Sequence, residues 1–191
     1  MSKAATKTDN SELEAKVLLR LESLDYVTNS PVRVLECYGG NGTIWKEVKA
    51  RTQREIEILR IEKQSDRAGV YLKGDNLKFL GSMDFSDFDI IDLDAYGIPF
   101  AQIKMVFQKK FHGVVHVTAI QSAMRPLPTG LLTESGYVKE MLKKCRTLFY
   151  KNGDEQLLGY LAKKGVSKIR RYKSGRKNYF WFHLLQSAEN E

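Results

Sequence analysis

The stretch that decides the fold runs from Val32 to Gly42 and reads VRVLECYGGNG. It begins as a short, mostly apolar run typical of a buried strand, and it ends with three glycines in four positions. A strand that leads directly into a glycine turn and then a helix is the opening of a nucleotide-binding βαβ unit. Glycines allow the backbone to turn tightly there and a ligand to approach the chain closely. The stretch therefore predicts an α/β fold with a ligand site at the carboxyl end of this strand.

A second strand supports the same unit. It covers residues 56–61 and ends at Glu62, which follows Gly42 by 20 residues. A crossover of that length holds one short helix, over residues 43–54, and returns the chain beside its first strand. A carboxylate at that strand end can accept hydrogen bonds from two neighbouring hydroxyl groups, such as those of a ribose. The alternative is that Glu62 is a solvated charge at the end of a strand.

The segment Val34–Gly42 resembles motif I of the class I S-adenosylmethionine-dependent methyltransferases, in the form that has an acidic residue, an aromatic residue and two later glycines. The resemblance implies that S-adenosylmethionine is the cofactor and that seven residues bind it: Glu36, Tyr38, Gly40, Gly42, Glu62, Asp75 and Asn76. The first four fill the motif I positions, and Glu62 is expected at the ribose. The last two follow a third strand, predicted over residues 70–72, and are expected at the adenine. The alternative for Gly74-Asp75-Asn76 is an ordinary turn.

A later segment, Phe88–Pro99, reads FDIIDLDAYGIP. It resembles motif IV of the amino-group methyltransferases, and most nearly that of the tRNA guanine dimethyltransferases, whose strand ends in Asp-Leu-Asp-Pro-Phe-Gly-Ser-Pro. The resemblance implies that Asp94 is the catalytic carboxylate and that Tyr96 stacks on the target base. Ala95 departs from the pattern, because the family has proline there. Asp92 is the competing candidate, since it lies two residues earlier on the same side of the strand.

The remaining patterns complete the predicted fold: a Rossmann-like, seven-stranded, mostly parallel sheet with helices on both faces and an antiparallel C-terminal hairpin. Further helices are predicted over residues 13–25, 100–110, 137–150 and 154–164, and further strands over 113–119, 166–172 and 178–184. Ser11-Glu12-Leu13-Glu14 has the spacing of a helix capping box. Gln121 follows the fifth strand, where the resembling family has an aspartate. We expect residues 1–10 to form a mobile tail and residues 11–191 to form a single methyltransferase-like domain.

Charge and composition indicate the class of partner. The chain has 191 residues and a formal net charge of +8, which favours a polyanion such as RNA or DNA. Cations cluster in the C-terminal third without acidic residues between them, and we expect Arg170, Arg171 and Lys173 to bind the substrate. No apolar run is long enough to cross a membrane, no signal segment begins the chain, and its two cysteines suit a reducing compartment. A cytoplasmic location without a membrane partner is expected.

The predicted function is methyl transfer from S-adenosylmethionine to an exocyclic amine of a base in RNA or DNA, the base being single-stranded or flipped out. A partner subunit is a possible source of target recognition. We expect no metal, because His112 and His116 lie about 13 Å apart along one strand face. The alternatives are a methyltransferase that acts on a protein or a small molecule, and a binding module that kept this fold but lost catalysis. The sequence does not name the base, the number of methyl groups or the oligomeric state.

Overall fold

The computed structural model describes residues 12–121, 126–145, 149 and 152–185. In these ranges the strands are β1 (Val32–Cys37), β2 (Ile56–Glu62), β3 (Leu72–Lys73), β4 (Ile90–Asp94), β5 (Gly113–Ile120), β6 (Ile169–Ser174) and β7 (Lys177–Leu184). The helices are α1 (Leu13–Ser23), α2 (Thr43–Arg51), α3 (Asn76–Ser82), α4 (Phe100–Gln108), α5 (Thr129–Glu134), α6 (Lys139–Lys144) and α7 (Gly153–Lys163). A single 3₁₀ turn, Leu24–Tyr26, follows α1. None of the helices in the described ranges has the length and apolar character needed to cross a membrane.

All seven strands form one sheet in the order β3-β2-β1-β4-β5-β7-β6, counted within the described residues. Strands β1 to β5 pair in parallel, and β7 runs antiparallel between β5 and β6. The carboxyl ends of β1, β2, β4 and β5 therefore share one edge of the sheet. The hairpin turn between β6 and β7 lies at the same edge, because Ile120 at the end of β5 pairs with Lys177. This arrangement confirms the predicted fold class.

Helices cover both faces of the sheet, and the period of two along each strand divides the core between them. On one face Val34, Ile90 and Val114 pack with Val17 of α1 and Trp45 of α2. On the other face the alternate strand positions pack with α3, α4, α5 and α7. As expected for central strands that are covered on both faces, β1 is buried at every position except Arg33, and β4 at every position except Asp94.

The predicted elements differ from the structure mainly at their ends. The third strand is shifted to Leu72–Lys73. The first helix ends at Ser23, and the predicted end at Asp25 lies in the 3₁₀ turn that follows it. Two helices were not predicted, α3 and α5. The Asp75 side chain caps α3 by accepting a hydrogen bond of 2.9 Å from the Leu77 N–H, which is the chemistry of a helix start.

Some predictions fall partly outside the described residues. The tail over residues 1–10 and Ser11 of the capping box lie there, and so do residues 146–148 and 150 of the helix predicted over 137–150. Within the described part of that helix, α6 covers Lys139–Lys144, and Cys145 has left the helical conformation.

Candidate active site

The glycine turn after β1 has a left-handed backbone, which glycine adopts more readily than other residues. Tyr38, Gly40 and Gly42 have φ angles of 65°, 52° and 69°, in the left-handed region. A β-carbon at Gly39 would approach the Glu36 carboxyl group to 2.6 Å, so the turn also needs the small residue there. Helix α2 begins directly after Gly42 and directs its first N–H groups toward the carboxyl edge of the sheet.

Glu62 meets the glycine turn at this edge. Its carboxylate accepts hydrogen bonds from the Gly40 N–H (3.0 Å) and the Gln64 N–H (2.9 Å), and the residue is 8% exposed. The structure thus brings together the two features that the sequence separates by 20 residues. Each carboxylate oxygen has two lone pairs, so both retain acceptor capacity for a ligand hydroxyl group.

The remaining predicted cofactor residues lie beside this turn. The Tyr38 hydroxyl group pairs with the side-chain amide of Gln102, and burial raises the pKa of Tyr38 to about 12. Asn76 is 5% exposed, and its Oδ1 is a buried acceptor that has no hydrogen-bond donor among the described residues. Asp75 uses one oxygen to cap α3, and its other oxygen lies 3.7 Å from Nζ of Lys63.

Glu36 is part of a buried polar layer between the sheet and α1. Strand register places it beside Asp92 of β4 and Arg60 of β2. Burial, and then the nearby charge of Asp92, raises the pKa of Glu36 to about 8. The Glu36 side chain therefore carries a proton near neutral pH, and it borders the glycine turn as an uncharged group.

Asp92, the competing catalytic candidate, is fully enclosed. Both oxygens accept from the Arg20 guanidinium group at 2.7 Å, and Oδ2 also accepts from Nε1 of Trp45 at 2.7 Å. Residue exposure of Asp92 is 0%, and that of Arg20 is 2%. A buried ion pair with these added hydrogen bonds fixes α1 on the sheet and leaves Asp92 without access to a substrate.

Asp94 lies one step nearer the edge, on the same face. Its two carboxylate oxygens accept from Nζ of Lys16 at 2.9 and 3.0 Å, and Oδ1 also accepts from the Thr118 hydroxyl group. The Asp94 side chain is 14% exposed. The predicted catalytic carboxylate is therefore largely covered, because the first turns of α1 reach the carboxyl end of β4.

The loop after β4 presents Tyr96 to solvent, with 76% of the residue exposed. Beside it lies a cavity of about 380 Å³, between the loops that follow β4 and β5; among its lining residues are Tyr96, Gly97, Ile98, Leu127 and Pro128. The Ala95 N–H donates to the Leu93 carbonyl group at 2.8 Å, a bond that proline cannot make. Ala95, at the position where the resembling motif has proline, thus gives the loop a backbone hydrogen bond.

Gln121 has a structural contact at the position where the resemblance suggests an aspartate. Its side-chain oxygen accepts from the Gly153 N–H at 3.0 Å, and its amide nitrogen donates to the Phe149 carbonyl group at 3.1 Å. These bonds connect the end of β5 to the start of α7.

The three basic residues predicted to bind the substrate do not form one site. Arg170 pairs with Glu22 of α1 at 2.6 Å, on one face of the hairpin. Arg171 and Lys173 both pair with Asp154 of α7, on the other face, the latter at 2.7 Å. Cations that have no acidic neighbours in the sequence have them in space, because the sheet edge lies between two helices.

Several residues around the site were missed by sequence reasoning: Lys16, Arg20, Trp45, Arg60 and Thr118. In α1 the leucine Leu18 is 54% exposed, whereas the cationic residues Lys16 and Arg20 are buried. Arg60 lies beneath the glycine turn, where Nη1 occupies the space that a β-carbon at Gly42 would need. The sequence did contain a signal for the two α1 cations. Basic residues four apart lie on one helix face, acidic residues two apart lie on one strand face, and the two spacings along the axis are similar, so the pairs can face each other.

Solved structures of other proteins share the fold of this chain. No protein-family model and no curated protein matches the chain. Among solved structures, the CurJ carbon methyltransferase aligns with a TM-score of 0.56 at 11% identity, over 87% of this chain and 52% of the other. The chain therefore spans about half the length of that protein. A putative S-adenosyl-L-methionine-dependent methyltransferase from Methanococcus maripaludis aligns over 99% of both chains, with a TM-score of 0.50 and 12% identity.

A third structure is the plantazolicin methyltransferase BamL in complex with a triazolic desmethylPZN analogue and S-adenosylhomocysteine (SAH), with a TM-score of 0.53 and 11% identity over 93% of this chain and 85% of the other. Identities this low indicate a shared fold and leave the substrate open. The protein has the Rossmann-like fold of S-adenosylmethionine-dependent methyltransferases.

Proposed function

We propose that this protein transfers a methyl group from S-adenosylmethionine to an exocyclic amine of a base in RNA or DNA. The observation that carries the proposal is the contact between the Gly40 N–H and the Glu62 carboxylate, 3.0 Å long, at the carboxyl edge of a methyltransferase-like sheet. It joins a left-handed glycine turn, a helix N-terminus and a ribose-competent acid in one place. These are the groups that an adenosyl cofactor with an amino-acid tail requires.

The residues present fit this cofactor. A β-carbon at Gly40 would meet no atom within 4 Å, so there is open space on that side of the turn, and the buried Asn76 Oδ1 has no hydrogen-bond donor among the described residues. Glu62 would hold the ribose hydroxyl groups, and Asn76 and Asp75 would hold the adenine. Bound there, S-adenosylmethionine would supply a methyl group on a cationic sulfur. The acceptor nitrogen would provide the electron pair of the new N–C bond, the sulfur would keep the S–C electron pair, and the proton of the nitrogen would pass to solvent.

The acceptor side of the site consists of Asp94 and Tyr96. An amine conjugated to a base ring is a weak nucleophile, so the protein must aim its lone pair, and catalysis is mainly by orientation and electrostatics. Asp94 would accept an N–H of the amine, and the exposed Tyr96 ring would stack on the base beside the 380 Å³ cavity. A base reaches this position only from a single strand or after flipping.

The choice of nucleic acid rests on charge. A net charge of +8 favours a polyanionic substrate, and the exposed Lys173 and Arg176 of the β6–β7 hairpin lie toward the edge that holds the site. We also propose that a partner subunit supplies target recognition and that the protein lies in the cytoplasm.

A second candidate function is a binding module that has lost catalysis. The observation that favours it is the cover of α1 over Asp94, whose two oxygens already accept from Lys16. A methyltransferase that acts on protein or small molecules would share the cofactor site and differ in the acceptor.

The test is methyl transfer from radiolabelled S-adenosylmethionine to separate pools of RNA, DNA and protein. We expect label in a nucleic-acid pool, its loss in Asp94→Ala, and its retention in Asp87→Ala, which changes an exposed aspartate in the turn before β4. Label only in the protein pool would replace the nucleic-acid acceptor. Cofactor binding without transfer to any pool would favour the binding module.

A further inference from the structure

Helix α1 pairs with the sheet through a polar stripe. Lys16, Arg20 and Ser23 recur at helical spacing and contact Asp94, Asp92 and His116 respectively. The Ser23 Oγ and His116 Nε2 atoms are 2.8 Å apart, and burial lowers the pKa of His116 well below its usual range. The stripe runs from the carboxyl edge of the sheet, at Lys16, into the interior.

The two ion pairs in this stripe differ in depth. The side chains of Arg20 and Asp92 are 3% and 1% exposed, and Trp45 adds a further bond to Asp92. The side chains of Lys16 and Asp94 are 8% and 14% exposed, and Asp94 ends its strand. The inner pair has no path to a ligand, whereas the outer pair borders the place where the methyl acceptor would lie.

The bonds of Asp94 limit what it can still accept. An ionised carboxylate offers about four lone-pair positions. Oδ1 accepts from both Lys16 and Thr118, and Oδ2 accepts only from Lys16 among the residues that the structure describes, so one position remains on Oδ2. That position has a fixed direction, because a lysine on a helix and a threonine on the neighbouring strand both hold the carboxylate.

We propose that Lys16 is a positioning residue that orients Asp94 so that Oδ2 accepts one N–H of the methyl acceptor. This inference rests on the proposed function and adds α1 to the active site. Lys16 acts through Asp94 and does not contact the cofactor. The ammonium group also places a positive charge beside the carboxylate, at 2.9 and 3.0 Å from its two oxygens.

The experiment compares Lys16→Met, Lys16→Arg and the control Lys49→Met, which changes an exposed lysine on the neighbouring helix α2. Transfer kinetics, SAH affinity by calorimetry and the thermal midpoint are measured for each variant. In Lys16→Met we expect kcat to fall about 10- to 100-fold, while KM for nucleic acid and the SAH affinity change less than about threefold. Lys16→Arg, which keeps a cation within reach of Asp94, should recover most of kcat. If Lys16→Met does not fold, Lys16→Gln takes its place.

The outcomes separate the two proposals. Wild-type kcat in folded Lys16→Met overturns the positioning role and leaves the methyltransferase proposal standing. A higher kcat also overturns it, since the contact would then block the site. Equal losses in Lys16→Met and Lys16→Arg would assign Lys16 a packing role only. A wild-type protein that binds SAH but transfers no methyl group overturns both proposals.

Discussion

Replacement of Glu62 tests the cofactor site most sharply among single residues. In Glu62→Ala the N–H groups of Gly40 and Gln64 lose acceptors at 3.0 and 2.9 Å, and the ribose hydroxyl groups lose theirs. An unsatisfied buried polar group costs about 1–3 kcal/mol, so cofactor affinity should fall roughly 5- to 150-fold. Glu62→Gln should lose less cofactor affinity, because its amide oxygen can still accept a hydrogen bond, although its NH₂ group faces a backbone N–H donor.

The assay is calorimetric titration with SAH, with the thermal midpoint measured in parallel. Glu57→Ala is the matched control, because Glu57 lies on the same strand, its side chain is 61% exposed, and it is far from the carboxyl edge. We expect unchanged affinity in the control. Wild-type affinity in folded Glu62→Ala would refute the assignment of Glu62 to the ribose.

Three further predictions concern catalysis, substrate affinity and pH. Asp94→Ala should keep SAH binding and lose methyl transfer about 100-fold or more, with Asp94→Asn milder, as measured by single-turnover transfer. Charge reversal at Arg170, Arg171 and Lys173, which lie on both faces of the hairpin, should weaken nucleic-acid binding through the loss of net positive charge. It should also flatten the salt dependence of binding in filter-binding titrations, with unchanged SAH affinity. Burial raises the pKa of Glu36 from 4.5 to about 8. Between these pH values the unfolded chain releases a proton that the folded protein retains, so the free energy of unfolding falls as the pH rises from 4.5 to 8. Glu36→Gln should therefore gain stability relative to wild type over that interval, by at most about 1.4 kcal/mol per pH unit, in urea unfolding near pH 5 and pH 8.

The sequence predicted the sheet well because its signals are local. Apolar runs bounded by Gly42, Pro31 and similar breakers mark the central strands, and the crossover length sets their parallel order. The short helix α3 was missed because Gly74-Asp75-Asn76 suits a turn as well as a helix cap, and only the tertiary contacts of Leu80 decide between them.

The charges of the site were harder to predict because their partners are distant in the chain. Lys16 and Asp94 are separated by 78 residues, and nothing local distinguishes Lys16 from a solvated lysine. The sequence likewise presents Arg171 and Lys173 as a free basic cluster, whereas packing of α7 brings Asp154 to both. Which charged residues pair in space depends on how the chain folds, and the composition of the sequence does not determine these pairs.

The most direct test of the central claim, a cofactor site at the carboxyl edge of β1 and β2, is amide hydrogen exchange with and without SAH. The account predicts slower exchange on SAH binding in three segments, residues 36–43, 60–64 and 73–78, with the β6–β7 hairpin unchanged. Absence of protection in these segments at saturating SAH, or protection confined to another part of the chain, would contradict it.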